Sequence, residues 1–304
     1  MTHITLARSA ATTYAQVGPL TDLSMYRAHL ACLPTNIAAL WRVVQGIVIH
    51  VFWQGTNAIL LDDERRRGAS ARSAAAKLAT ILALDDRPIT IARPPDRRLP
   101  ATSRDYSLLL VALLRHQGIP ARSRCGFVTY VAPQRYEDHW LVEYWNGDED
   151  RWVLVDPQMD EVQQADLNIS FDPLDVTRVQ FLSSGAAWQR CRSGTLDPTL
   201  LGRLEDRGMH AIRCTLIRDL AALNRVEMQP WDRWGLMLPS DEMLSDADIA
   251  LLDTVAHATV GALATPSADA VEALYASDPR LRPPEAWLTD PDITLWRVNQ
   301  LQSR

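Results

Sequence analysis

The stretch from residue 103 to residue 156 constrains the fold most. It opens on a helical pattern: Tyr106, Leu109, Leu110, Leu113 and Leu114 recur at the spacing that lines one side of a 3.6-residue helix. Gly118 marks its end. Three runs rich in Val, Trp, Tyr and Phe follow at residues 122–131, 139–145 and 151–156 and read as strands. Short connections between them favour an antiparallel sheet, and the apolar stripe of the helix needs such a sheet to cover it.

The flanks are helical in pattern. Leu33-Pro34-Thr35-Asn36 supplies a turn and an N-cap for a buried helix over 37–53. The mixed-charge run 62–67 reads as a solvated face, and an alanine-rich helix over about 70–84 carries Lys77 into solvent. Residues 93–100, with three prolines, form an extended connector. Beyond residue 170, helices are expected near 175–190, 209–226, 246–263 and 267–276, the third opened by an acidic capping box at Ser245-Asp246-Ala247-Asp248. The fold class is therefore α+β. The 304 residues read as one unit, with a helical N-terminal flank over 20–96, a core over 97–165 and a mainly helical region over 166–304.

Composition narrows the function. Hydrophobic residues make up 47% of the chain and charged residues 22%, enough apolar material for a sizeable core. A net charge of −6 argues against nucleic acid or an anionic membrane as partner. Lys77 is the sole lysine and no Gly-Lys-Ser/Thr occurs, which excludes a P-loop; no Gly-x-Gly occurs, which excludes the dinucleotide fingerprint. Cys32, Cys125, Cys191 and Cys214 form no Cys-x-x-Cys, and there is no His-Glu-x-x-His, so no metal cofactor is expected. Four scattered cysteines and an N-terminus without a signal-peptide pattern fit a cytoplasmic protein. The most apolar stretch, 37–53, is broken by Arg42, Gln45 and His50 and does not read as a membrane span.

The last two strands carry the candidate catalytic residues. Asn146-Gly147-Asp148-Glu149 is a natural turn. If Trp145 pairs with Asp150, His139 falls opposite Asp156, with Cβ atoms about 5 Å apart. A carboxylate there fixes the imidazole tautomer and stabilises its charged form. The helix beginning near Ser103 offers a hydroxyl where free N–H groups and the helix dipole favour negative charge, which suits a nucleophile and an oxyanion hole. Taken alone, Ser103 also fits an N-cap, His139 a satisfied core histidine and Asp156-Pro157 a strand-ending turn.

These residues carry a resemblance. Thr102-Ser103-Arg104-Asp105-Tyr106, Gly118-Ile119-Pro120-Ala121-Arg122, Cys125-Gly126-Phe127, Asp138-His139-Trp140 and Trp152-Val153-Leu154-Val155-Asp156-Pro157 resemble the transglutaminase-like superfamily over about residues 97–160. Weaker likeness to uncharacterised bacterial proteins with this domain extends to 218–224 and 231–235. The resemblance implies a papain-like core with a Cys-His-Asp triad and neither metal nor organic cofactor. His139 takes the place of the family histidine, Asp156 of the aspartate, and Ser103 of the nucleophilic cysteine. Cys125 falls in a strand, off the nucleophile position, and reads as a packed cysteine.

A serine hydroxyl cannot rest as an anion the way a thiol can; it must lose its proton to His139 during attack. The leading expectation is acyl transfer by Ser103, His139 and Asp156. The acyl donor would be an amide or thioester, free, in a peptide or on a carrier, and the acceptor an amine or water. The rival expectations are a ligand-binding homologue without turnover and a cysteine enzyme carrying an engineered serine. Trp140, Trp145 and Trp152 read as core or cleft walls, Trp231 and Trp234 as buried aromatics or a pocket roof, and His116 as a surface residue.

Overall fold

The computed structural model describes residues 11–51, 68–238, 244–261 and 268–289. The charge run 62–67 lies outside them. Helix α1 (Ile37–Ile47) is capped by Asn36, whose side chain accepts from the Ala39 N–H at 2.8 Å. It stops six residues short of the expected end, because β-branched Val48 and Ile49 turn extended and form strand β1 (Val48–His50). Helix α2 (Ala74–Leu84) starts at a Ser73 cap. Strand β2 (Leu99–Ala101) pairs in parallel with β1 and leads into α3 (Ser103–His116), the central helix, buried along nearly its whole length. Strands β3 (Ala121–Val128), β4 (Tyr136–Asn146) and β5 (Arg151–Val155) match the three expected runs.

After a short helix α4 (Glu161–Asp166) comes β6 (Phe181–Ser183), then α5 (Ser184–Arg192). A single helix near 175–190 was the expectation; the three-residue strand buries Phe181 and pairs with β3, and it is too short to leave a period-2 signal. Strands β7 (Leu201–Arg203) and β8 (Asp206–Arg207) precede α6 (Met209–Leu223), α7 (Asp246–Gly261) and α8 (Ala268–Ser277), which fall close to the expected helices.

The six-stranded sheet runs β6-β3-β4-β7-β8, with β5 also on β4. One edge of β4 is taken by β3, antiparallel over its whole length. The other edge is divided. β7 pairs in parallel with Tyr136 and Glu137, and β5 pairs antiparallel with Val142 to Asn146. Residues 138–141 lie between these two ladders, and among the described residues no strand pairs with them on that edge. Helix α3 packs across β3 and β4 at this level: the Ser107 hydroxyl donates to the Leu141 carbonyl at 2.9 Å and meets the Ser123 hydroxyl of β3 at 2.9 Å. At the far end of the helix the Trp145 N–H donates to the Pro120 carbonyl at 2.9 Å. Helix α3 and strand β4 therefore run in the same direction. The architecture is mixed α+β with helices against the sheet, compatible with a papain-like core.

The β4–β5 register differs from the expected one. Trp145 pairs with Trp152 and Asn146 with Arg151, so the loop is 147–150 and every pair shifts by two residues. Asn146 stays in its strand and closes the turn with its side chain, accepting from the Asp148 and Glu149 N–H groups, while Asp150 takes a positive φ of 56°. The ladder ends at Val142–Val155, so His139 and Asp156 are not a ladder pair. A shift of two preserves which face each side chain occupies, and both residues stay on one face.

Candidate active site

The site is assembled where β4 is open between β5 and β7. Its first wall is the N-terminus of α3. The Asp105 carboxylate accepts from the Thr102 N–H at 2.9 Å and from the Thr102 hydroxyl at 3.2 Å, fixing the backbone immediately before Ser103. Asp105 is held from behind by Lys77 Nζ at 3.0 Å and by the Arg104 guanidinium at 3.1 Å. Arg104 also donates to the Arg72 and Glu227 carbonyls. Lys77, expected in solvent, is fully buried; its ammonium has two further acceptors, the Gly68 and Ala69 carbonyls. Burial pushes its pKa down to about 8 against the pull of Asp105. Lys77 and Arg104 thus hold the capping carboxylate under the first turn, and the free N–H groups and dipole of the helix N-terminus favour negative charge at residue 103.

The second wall is the imidazole–carboxylate pair. His139 Nε2 lies 2.9 Å from Asp156 Oδ2, and both residues are buried. The Tyr130 hydroxyl donates to the same oxygen at 2.6 Å, and the Gln158 N–H donates to Oδ1 at 2.9 Å. Burial, and next the charge of Asp156, push the Tyr130 phenol well above its ordinary range, so it remains a donor. The backbone at this turn is fixed from α1: Trp41 Nε1 donates to the Asp156 carbonyl at 2.7 Å and Gln45 Nε2 to the Pro157 carbonyl at 3.3 Å. Asp156 is thus held at both carboxylate oxygens and at its carbonyl, and a buried carboxylate so bonded is rigid.

Ser103 is the first residue of α3 and is partly exposed. It lies four residues, about 6 Å along the axis, before Ser107. His139 lies two residues, about 6.8 Å, before Leu141. Ser107 and Leu141 are bonded and the two elements run the same way, so the two steps bring Ser103 to the level of His139. No hydrogen bond joins Ser103 to His139. Because Nε2 is taken by Asp156, Nδ1 is the imidazole nitrogen that has no hydrogen bond among the described residues.

Residues 94–157 match the family model of the Transglutaminase-like superfamily. The matched segment runs from the connector through α3, β3, β4 and β5 to the Asp156–Pro157 turn. No curated protein and no solved structure matches the chain. Within this transglutaminase-like segment Cys125 is a packed strand residue: it is 1% exposed, its N–H donates to Asp219 at 2.8 Å, and burial and then Asp219 push its thiol pKa well up. Trp140 is buried in the core. Trp152 lies edge-on to Trp145 and under the Arg122 guanidinium, 4.1 Å from its ring centre. Trp234 is buried with its indole N–H on the Leu281 carbonyl, a packing role. Among the described residues no group of three metal-ligating side chains occurs, and no helix is long and apolar enough to cross a membrane.

The sequence did not single out Tyr130, the Lys77–Asp105 pair or His50. His50 closes β1 opposite Ala101, two residues before Ser103. Burial first, then the charge of Arg203, pushes its pKa down to about 3; His139, Asp156 and Asp105 also lie within electrostatic range. The two β-branched residues before it were the available signal for a strand.

Proposed function

We propose that this protein is an acyl-transfer enzyme in which Ser103, His139 and Asp156 act as nucleophile, general base and orienting carboxylate. The observation that carries the reading is the buried 2.9 Å contact between His139 Nε2 and Asp156 Oδ2 at the level of the α3 N-terminus. Asp156 fixes the tautomer with the proton on Nε2, so Nδ1 receives the Ser103 proton. The Ser103 oxygen bonds to the carbonyl carbon while the carbonyl π pair moves onto oxygen. That pair then returns, the bond to the leaving group breaks, and His139 gives the proton to the leaving amine or thiol. Water or an amine repeats the sequence on the acyl-serine. The free N–H groups and dipole at the N-terminus of α3 favour the anionic intermediate. The chemical donor class is an amide or a thioester, with an amine or water as acceptor.

One observation favours a second reading, a homologue that holds such a ligand without turnover: Ser103 is not hydrogen-bonded to His139. Incubation with an acyl thioester and a primary amine separates the two. Turnover predicts thiol release and a new amide or carboxylate, lost in Ser103→Ala and in His139→Ala. Saturable thioester binding without thiol release would favour the second reading.

A further inference from the structure

The Ser103 N–H supplies one donor to the oxygen that becomes negative during attack, and acyl transfer by this route needs a second. His50 is placed to be that donor. Strand β1 pairs in parallel with β2, with His50 opposite Ala101, and the Val51 N–H donates to the Ala101 carbonyl at 2.9 Å. Neighbouring strands lie about 4.8 Å apart. The His50 imidazole therefore starts one strand spacing from the chain that, two residues on, becomes the first turn of α3. The same ring feels the charges of His139, Asp156 and Asp105, as expected for a residue one strand away from the start of α3.

Resting on the acyl-transfer reading above, we propose that His50 is a catalytic residue that donates the second hydrogen bond to the oxyanion formed at Ser103. Its imidazole moves no proton: the N–H stays on His50 while Ser103 gives its proton to His139. Neutrality suits that task. Burial and Arg203 keep the ring uncharged, so its N–H can polarise the carbonyl without adding a cation against the imidazolium that forms on His139. A neutral imidazole with a lowered pKa is an established electrophile of this kind.

The test uses the full chain with Ser103→Cys, alone and combined with His50→Ala or His50→Gln, and two probes for residue 103. p-Nitrophenyl acetate acylates through a tetrahedral oxyanion; iodoacetamide alkylates a thiol without one. The proposal predicts that His50→Ala slows acetylation by about 10²–10³-fold. It also predicts an alkylation rate within about threefold of the parent and partial recovery of acetylation in His50→Gln, whose amide is also a donor. Equal losses with both probes would make His50 a support of the nucleophile and overturn the proposal, as would no loss with either. If residue 103 reacts with neither probe in folded Ser103→Cys protein, the acyl-transfer reading itself fails, and this proposal with it.

Discussion

Tyr130 and His139 share one oxygen of Asp156, bonded to it at 2.6 and 2.9 Å. The phenol draws on the same oxygen that orients the imidazole, so the carboxylate is held from the β3–β4 loop as well as from β4. Asp156→Asn is predicted to lower residue-103 acylation by about 10³–10⁴-fold by presenting the wrong tautomer. Tyr130→Phe is predicted to cost about 1.5–3 kcal/mol of stability, the range for a hydrogen bond to a charged group. Its effect on acylation is predicted to be smaller than that of Asp156→Asn. Acylation rates and denaturant midpoints of the two variants check both statements; equal rate losses would contradict the ordering.

Lys77 is the sole lysine, so a lysine-selective ¹⁵N label gives one side-chain signal. That signal is predicted to titrate with a pKa of about 8. The sign for stability follows. Between about 8 and the unfolded value of 10.5 the unfolded chain holds more protons than the folded one, so unfolding free energy from this group rises as pH rises through that window. Urea denaturation at pH 8, 9 and 10 is predicted to show a component of rising stability that is absent in Lys77→Met. A signal titrating near 10.5 would mean that Lys77 is solvated.

Much of the fold was readable from periodicity. Helix α3 and strands β3 to β5 were placed within a few residues because each presents a long apolar pattern. The β4–β5 register was not, because Asn146 both ends a strand and caps a turn, and sequence alone does not say which residue closes the loop. The error of two residues left His139 and Asp156 on one face, so the pairing survived although its geometry is not the cross-strand pair expected. Lys77 reads as solvated yet is buried, because an alanine-rich helix does not show which of its sides is covered. Tyr130 is not legible in the sequence because its hydrogen bond reaches Asp156, 26 residues away, which no local pattern records.

Behind β3 and β4 a fully buried charge network ties the sheet to α6. Glu143 accepts from Arg122 at 2.8 Å and from Arg124 at 3.1 Å, and Arg124 donates to Asp219 at 2.9 Å. Burial alone would raise the Glu143 pKa, but the two guanidinium groups hold it down to about 2. Its contribution to stability is therefore present above the unfolded value of 4.5 and is lost as pH falls from there through about 2. Glu143→Gln is predicted to cost about 3–5 kcal/mol, because it removes the buried carboxylate charge that Arg122 and Arg124 share. Thermal melts of the variant at pH 7 and pH 3 check this: the difference from the parent is predicted to be larger at pH 7.

Ser103 is proposed above as an activated nucleophile. That role is tested most directly by intact mass and peptide mapping after exposure to a serine-directed acylating probe, in the parent chain, Ser103→Ala and His139→Ala. A single adduct on Ser103 is expected in the parent and none in either variant. A folded parent chain that stays unmodified at Ser103, or an adduct that persists in His139→Ala at the parent rate, would contradict it.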